Sequence, residues 1–268
     1  MYKLFNNILV PLNADRISET AIEKAVQLSA QFHCDVHLLF LVSRPFWKSW
    51  SVANAAEKKQ ELSMLQDKYA MQLPRGCILH IGIREGNAAA AVMQYIAVNQ
   101  IDLILTHRIP RRFGFDAGPD INNLAAITGC PVLSLQTNPS LEGIRNIVLP
   151  VGEQLPLRKI MLAIYMARNS NAAIHLITLT ANNTAASKRY VYLEKAYQLL
   201  RENTNLPIQC KMVVGENIAD TTLEYARKVE ADLILVKAGD EGLLSGPMNR
   251  LFSKFLFNRS TIPVITVA

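Results

Sequence analysis

The sequence predicts two tandem α/β domains, each a doubly wound sheet of five parallel strands, and two observations carry that prediction. The first is an internal duplication. Asn7-Ile8-Leu9-Val10-Pro11 returns as Asn146-Ile147-Val148-Leu149-Pro150, and Val36-His37-Leu38 as Ile174-His175-Leu176. Asp102-Leu103-Ile104-Leu105 returns as Asp232-Leu233-Ile234-Leu235, and Cys130-Pro131-Val132-Leu133-Ser134-Leu135 as Ile262-Pro263-Val264-Ile265-Thr266-Val267. The order is kept and the offset stays between 130 (102 to 232) and 139 (11 to 150), so the repeated unit is a whole domain and not a solenoid turn. The second observation is alternation: short, nearly continuous apolar runs alternate with helical stripes, the pattern of a parallel sheet covered by helices on both faces.

The elements follow in order. Residues 8–10 form an apolar run closed by Pro11 and read as a buried strand. A helix is predicted over 18–32, where Ala21, Ile22, Ala25, Val26 and Leu28 recur at three- and four-residue spacing. A strand over 36–42, a charged helix over about 54–72, a strand over 77–83 and a helix over 88–98, entered through Gly86-Asn87, come next. Strands at 103–105 and 132–135 complete the first copy. The second repeats the plan, with strands near 147–149, 173–179, 208–214, 233–236 and 264–267 and helices between them. The turn-rich stretch from Asn138 to Gly143 breaks helix and strand alike and marks a linker, which gives domains 1–141 and 142–268.

Composition excludes several function classes. No apolar run approaches the roughly 20 residues that cross a bilayer. Met1-Tyr2-Lys3-Leu4-Phe5 lacks a signal-peptide core, so a cytoplasmic location is expected, with no membrane contact. Cys34, Cys77, Cys130 and Cys210 are widely spaced and read as reduced, mostly buried thiols. His37 and His175, at matched positions in strand-like runs, read as packed core histidines, and no structural metal is expected. A net charge of +6 and a pI near 9.2 admit anionic partners. The chain carries no RNA-binding signature, zinc finger or basic zipper, which argues against nucleic acid.

Ligands of open parallel sheets bind beyond the carboxyl ends of the strands, at the switch point of strand order. After the fourth strand of the second copy comes Lys237-Ala238-Gly239-Asp240-Glu241-Gly242, then nine residues, then Phe252-Ser253. Glycines in such a loop let backbone N–H groups approach phosphate oxygens. Together with the twice-occurring strand-plus-Pro openings, Asp-Leu-Ile-Leu strands and closing Pro-Val strands, this chain resembles the universal stress protein family, specifically its tandem two-domain members. The resemblance spans essentially the whole chain and implies an adenine nucleotide alpha-hydrolase-like fold and a role in stress response. Nucleotide-binding members carry G-x-x-G, nine residues, then G-[ST], and an Asp just after the first strand. Gly239, Gly242 and Ser253 occupy three of these positions, Phe252 stands at the third glycine, and Asp240 and Glu241 add negative charge. The Asp is replaced by Asn13 in the first copy and Gly152 in the second. The first copy's loop, Thr106-His107-Arg108-Ile109-Pro110-Arg111-Arg112, has no glycine, and Asn122-Asn123 lies near the distal position.

The resemblance thus implies Gly239, Gly242, Ser253 and Asn13 as candidate nucleotide contacts. It requires no cofactor, ATP with Mg²⁺ in the second domain being the alternative. No phosphate-binding Walker loop, nucleophile elbow or H-E-x-x-H helix is present, and no nucleophile has a partner base. Glu85 and Glu216 precede helices and read as solvated or capping groups, Lys188-Arg189 as a solvated face, and Phe46, Trp47 and Trp50 as packing residues. The expected function is a non-enzymatic stress-response module that senses a ligand or binds an unidentified protein partner through degenerate nucleotide sites. One alternative is an ATP-binding switch or slow ATPase in the second domain. Another is an anion or nucleic-acid binder through Arg108, Arg111 and Arg112. Members of the family dimerise through their fifth strands, so fusion implies that 132–135 and 264–267 pair within the chain as a pseudo-dimer, removing two exposed edges. A homodimer of such chains is compatible with this arrangement, but the sequence does not fix it.

Overall fold

The computed structural model describes residues 3–13, 17–42, 52–107, 121–135, 140–180, 186–215, 218–238 and 260–268. Those up to His107 form one compact unit, and those from Ile121 onward a second.

The first unit consists of β1 (Asn7–Asn13), α1 (Glu19–Phe32), β2 (Asp35–Val42), α2 (Val52–Ala70), β3 (Leu79–Glu85), α3 (Ala88–Asn99) and β4 (Leu103–His107). Its strands lie in the order β3-β2-β1-β4 and all pair in parallel. Ile8, Leu9 and Val10 are fully buried, as a strand covered on both faces must be. β1 runs past its apolar core through Pro11 to Asn13 on the β2 side, beyond the last β4 pair at Leu9 and Ile104. The proline therefore stands where the strand is paired on one side, which spares the ladder its missing donor. Ser18 caps α1, its Oγ accepting from the Ala21 N–H at 3.3 Å. Lys68 Nζ and Tyr69 Oη both donate to Glu19 Oε2, at 2.6 and 2.9 Å, and tie α2 to α1. Gly86 has φ +103, a conformation that favours glycine, and Asn87 then caps α3 through the Ala90 N–H at 3.1 Å. Glu85 is exposed and is not the cap.

The second unit contains α4 (Ile121–Thr128), β5 (Val132–Leu135), β6 (Asn146–Pro150), α5 (Leu157–Arg168), β7 (Ala173–Thr180), α6 (Ala186–Asn203), β8 (Ile208–Val214), α7 (Ile218–Lys228), β9 (Leu233–Lys237) and β10 (Val264–Val267). The strand order is β5-β10-β9-β6-β7-β8. Five of these are mutually parallel, and β5 joins β10 antiparallel, pairing Ser134 with Val264, Leu133 with Ile265 and Val132 with Thr266. The expected pairing of 132–135 with 264–267 is therefore present. It also explains why the compact units part from the sequence repeat: α4 and β5 belong to the first copy by sequence but group with β10.

The duplication extends to polar ties between elements. Asp102 Oδ2 accepts the backbone N–H groups of Asn6 and Asn7 at 2.7 and 3.1 Å; Asp232 Oδ2 accepts those of Arg145 and Asn146 at 2.7 and 3.0 Å. Each carboxylate holds the start of the first strand of its copy beside the start of the fourth. Asp232→Ala is expected to cost about 2 kcal/mol in urea unfolding, because two N–H groups lose a charged acceptor, while Asp232→Asn keeps an acceptor and most of the stability. Equal midpoints for wild type and the Ala variant would show that the tie contributes nothing.

A second duplicated device is buried. His37 Nε2 lies 3.2 Å from Asn7 Oδ1 and its Nδ1 3.2 Å from Tyr95 Oη; His175 repeats this with Asn146 Oδ1 at 3.1 Å and Tyr225 Oη at 3.2 Å. Asn7 Nδ2 donates to Gln100 O at 3.2 Å, so its Oδ1 is the atom facing the ring and must be met by an Nε2–H. Nδ1 then accepts from the tyrosine hydroxyl. These are satisfied core histidines, as expected, and no cluster of three or more metal-ligating side chains exists among the described residues. The four thiols are free; Cys34 and Cys130 are buried, Cys77 is half-buried, and Cys210, on edge strand β8, is exposed, contrary to the expected burial. No described helix is long and apolar enough to cross a membrane.

Candidate ligand site at the switch point of the second unit

In each unit the strand order reverses direction between the first and fourth strands of the repeat, β1 and β4 in one and β6 and β9 in the other. In open parallel sheets the carboxyl ends of the strands flanking such a point are where ligands bind. The two switch points are built from matched positions and carry different side chains.

In the first unit, β4 ends at His107, and its Nδ1 lies 2.9 Å from Ser18 Oγ, the cap of α1. Burial lowers the His107 pKa, favouring the neutral ring, whose Nδ1 shares a hydrogen bond with the Ser18 hydroxyl while Ser18 Oγ also accepts from the Ala21 N–H. The helix start and the strand end thereby satisfy each other. Glu19 adds an acidic group to the first turn of α1. Asn13 is the exposed last residue of β1, at the carboxyl end where a ligand contact was expected.

In the second unit, the position matching His107 is Lys237, at the end of β9. Its Nζ donates to Gln154 Oε1 at 3.2 Å. α5 starts at Leu157 after Pro156, with no side-chain cap and no acidic residue in its first turn. Between these lies a cavity of about 360 Å³ whose wall includes Gly152, Gln154, Arg158, Lys159 and Lys237. Lys159 is only 3% exposed, and its Nζ donates to the Pro150 carbonyl at 2.6 Å, at the very end of β6. Glu153 also lines the cavity, against three cations. A Cβ placed on Gly152 meets no atom within 4 Å, so close packing does not explain the glycine.

Gly239, Gly242 and Ser253 lie outside the described residues, as do Phe252, Asp240, Glu241, Arg108, Arg111, Arg112, Glu216, Phe46, Trp47 and Trp50. Sequence reading missed Arg158 and Lys159 as site residues. A signal existed: with Ile22 aligned to Ile160 and Ala25 to Ala163 (both offset 138), Lys159 replaces the buried Ala21. A lysine at an otherwise apolar, buried helix position marks a departure between copies.

Residues 4–134 match the family model described as "Universal stress protein family". The first repeat is a universal stress protein domain. Solved structures extend the likeness in fold over both copies. A universal stress protein from Archaeoglobus fulgidus DSM 4304 matches with TM-score 0.74 at 12% identity, covering 98% of this chain and 97% of that one. A protein from Pseudomonas aeruginosa UCBPP-PA14 assigned to the same family matches with TM-score 0.62 at 16% identity, covering 98% and 93%. The cytoplasmic domain of a prokaryotic cation chloride cotransporter matches with TM-score 0.55 at 13% identity, covering 98% and 95%. At these identities the likeness establishes the fold alone. No match was found among curated proteins.

Proposed function

We propose that this universal stress protein is a non-enzymatic, cytoplasmic stress-response module of two fused domains, 1–141 and 142–268, that senses a ligand through its second copy and passes that state to a protein partner. The second switch point carries this reading: it holds a cavity at the end of β6, where the matched strand end of the first unit bears His107 hydrogen-bonded to Ser18. The polar lining described there consists of cations, an amide and one carboxylate, with no nucleophile and base in contact, which supports binding rather than turnover. Native followed by denaturing mass spectrometry of the purified chain tests it. A co-purified small molecule or a stoichiometric protein supports the module, whereas a protein that neither carries nor takes up any ligand or partner does not fit it.

The spacing of Gly239, Gly242 and Ser253 supports a second reading, an ATP-binding switch with Mg²⁺. Calorimetric titration with ATP and Mg²⁺ separates the two. The switch expects measurable affinity that falls roughly tenfold or more in Gly242→Val and Ser253→Ala, since each change removes a phosphate approach or a donor. Equal, negligible heats in all three proteins remove it.

A further inference from the structure

We propose that Cys34 and Cys77 are a disulfide-forming pair, oxidised by exchange with a low-molecular-weight disulfide, that ties the start of β2 to the start of edge strand β3. The inference is independent of the ligand-sensing reading and concerns the first unit alone.

Register and hydrogen bonds bring the two thiols to neighbouring places. The first ladder pair of the two strands is Val36 with Leu79, and two residues earlier on each strand stand Cys34 and Cys77. The rings of His37 and His80, the next pair, stack at 4.3 Å, so register partners share a face of the sheet, and by alternation the two cysteines belong to the face of Val36 and Leu79. The backbone just after them is tied: Val36 N donates to Ile78 O at 3.0 Å and Ile78 N donates to Asp35 Oδ1 at 2.9 Å. Adjacent strands run about 4.8 Å apart, inside the roughly 4.4–6.8 Å between Cα atoms that a disulfide spans. The charge of Cys77 is also felt at Cys34, where it adds to burial in raising the thiol pKa.

The second copy keeps this frame without the thiols. Ile174 N donates to Pro207 O at 2.8 Å, as Val36 N does to Ile78 O, and Asn171 has φ 53, as His33 has just before Cys34. With Ile174 aligned to Val36 and Ile208 to Leu79, Ala172 and Leu206 stand at the matched places, both buried. An apolar pair is therefore all that packing requires there, and the cysteines add chemistry to the same geometry. Their roles differ. Cys77 is half-buried and follows a turn in which its N–H donates to Pro74 O at 3.1 Å, between exposed Gly76 and Ile78, so an oxidant reaches it from solvent. Cys34 is 1% exposed, and its pKa is pushed up to about 12 by burial first, with Cys77 adding and Lys3 opposing, so it is the second thiol to react. Cys77 Sγ attacks the small disulfide, whose S–S bond breaks and releases one thiol; Cys34 Sγ then attacks Cys77 Sγ, the protein S–S bond forms, and the second small thiol leaves. Two protein thiols are oxidised, the small disulfide is reduced to two thiols, and the two protons go with them.

The test is incubation of the full chain with oxidised glutathione, then acid quenching, alkylation in urea and peptide mapping, for wild type, Cys34→Ala and Cys77→Ala. Buried Ala172 at the matched place shows that alanine fits at Cys34, and unfolding midpoints check both variants. Cys210, exposed on β8, reports that the oxidant has acted. In wild type, Cys34 and Cys77 should lose alkylation together and appear as one linked peptide pair, which dithiothreitol separates. Cys34→Ala should stop with glutathione on Cys77, and Cys77→Ala should leave Cys34 fully alkylatable. Wild-type Cys34 and Cys77 that both stay alkylatable while Cys210 is oxidised, or a lasting glutathione on wild-type Cys77 as in Cys34→Ala, overturn the pairing.

Discussion

Replacing Ile265 with Pro is expected to lower the stability of the chain by about 4 kcal/mol or more and to leave it prone to association. Ile265 is fully buried in β10, with β5 on one side, where it faces Leu133, and β9 on the other, where it faces Leu235. Proline at such a central position removes a ladder donor, places its ring where a backbone N–H stood, and supplies less side chain to the core. An edge strand tolerates this, but a strand paired on both sides does not. Losing β10 also uncovers β5 and β9, whose freed N–H and C=O groups are templates for other chains. Urea unfolding and light scattering read the two consequences. Ile265→Val, which keeps the backbone and trims one methylene, should cost only about 1 kcal/mol and remain monodisperse in the same way as wild type. If the Pro variant kept the wild-type midpoint and compactness, the pairing of β5 with β10 would have to be abandoned.

The contrast between what was legible in the sequence and what was not has a physical basis. Strand cores were legible because burial on both faces demands an apolar run, and Ile8-Leu9-Val10 or Leu233-Ile234-Leu235 can hardly be anything else. Strand ends were not: Pro11, Leu12 and Asn13 belong to β1 only because Leu39, Phe40 and Leu41 lie beside them. The helix α4 was hidden in a segment read for Asn122-Asn123 as a loop position, although Leu124, Ala125 and Thr128 carry helical spacing and Leu124 and Ala125 are buried. Repetition identified His37 and His175 as a pair, yet their partners come from other elements. Tyr95 lies 58 residues from His37, and only the placement of α3 against β2 unites them. The cationic cavity illustrates the same limit. Arg158 and Lys159 look like an ordinary helix start, and Lys237 like the end of an ordinary strand, until the switch point brings them to one wall.

Those buried histidines set the last expectation, a loss of stability in mild acid that begins well above the pH at which carboxylates titrate. Burial is the largest cause of the low His37 pKa, the charge of neighbouring His80 adds to it, and Asp35 opposes it; together they hold the ring down to about 4. The geometry accounts for each contribution: His37 is 4% exposed, its ring stacks on His80 at 4.3 Å, and His80 in turn lies 3.6 Å from Asp35. In the unfolded chain the same imidazole titrates near its ordinary value, about 6.5. Between those values the unfolded state binds the proton and the folded state does not, so the contribution of His37 is fully present above about pH 6.5 and is lost as pH falls toward 4. The interval corresponds to about 3 kcal/mol, and His175, lowered by burial, acts in the same direction. Urea unfolding of wild type and His37→Gln at pH 7.5, 6 and 5 isolates the effect, because carboxylates common to both proteins cancel in the difference. The variant should be less stable at pH 7.5, where it loses the fitted imidazole between Asn7 and Tyr95, and the gap should narrow as the pH falls. A gap that stays constant from pH 7.5 to 5 would mean that the ring titrates alike in both states and that its burial costs the proton nothing.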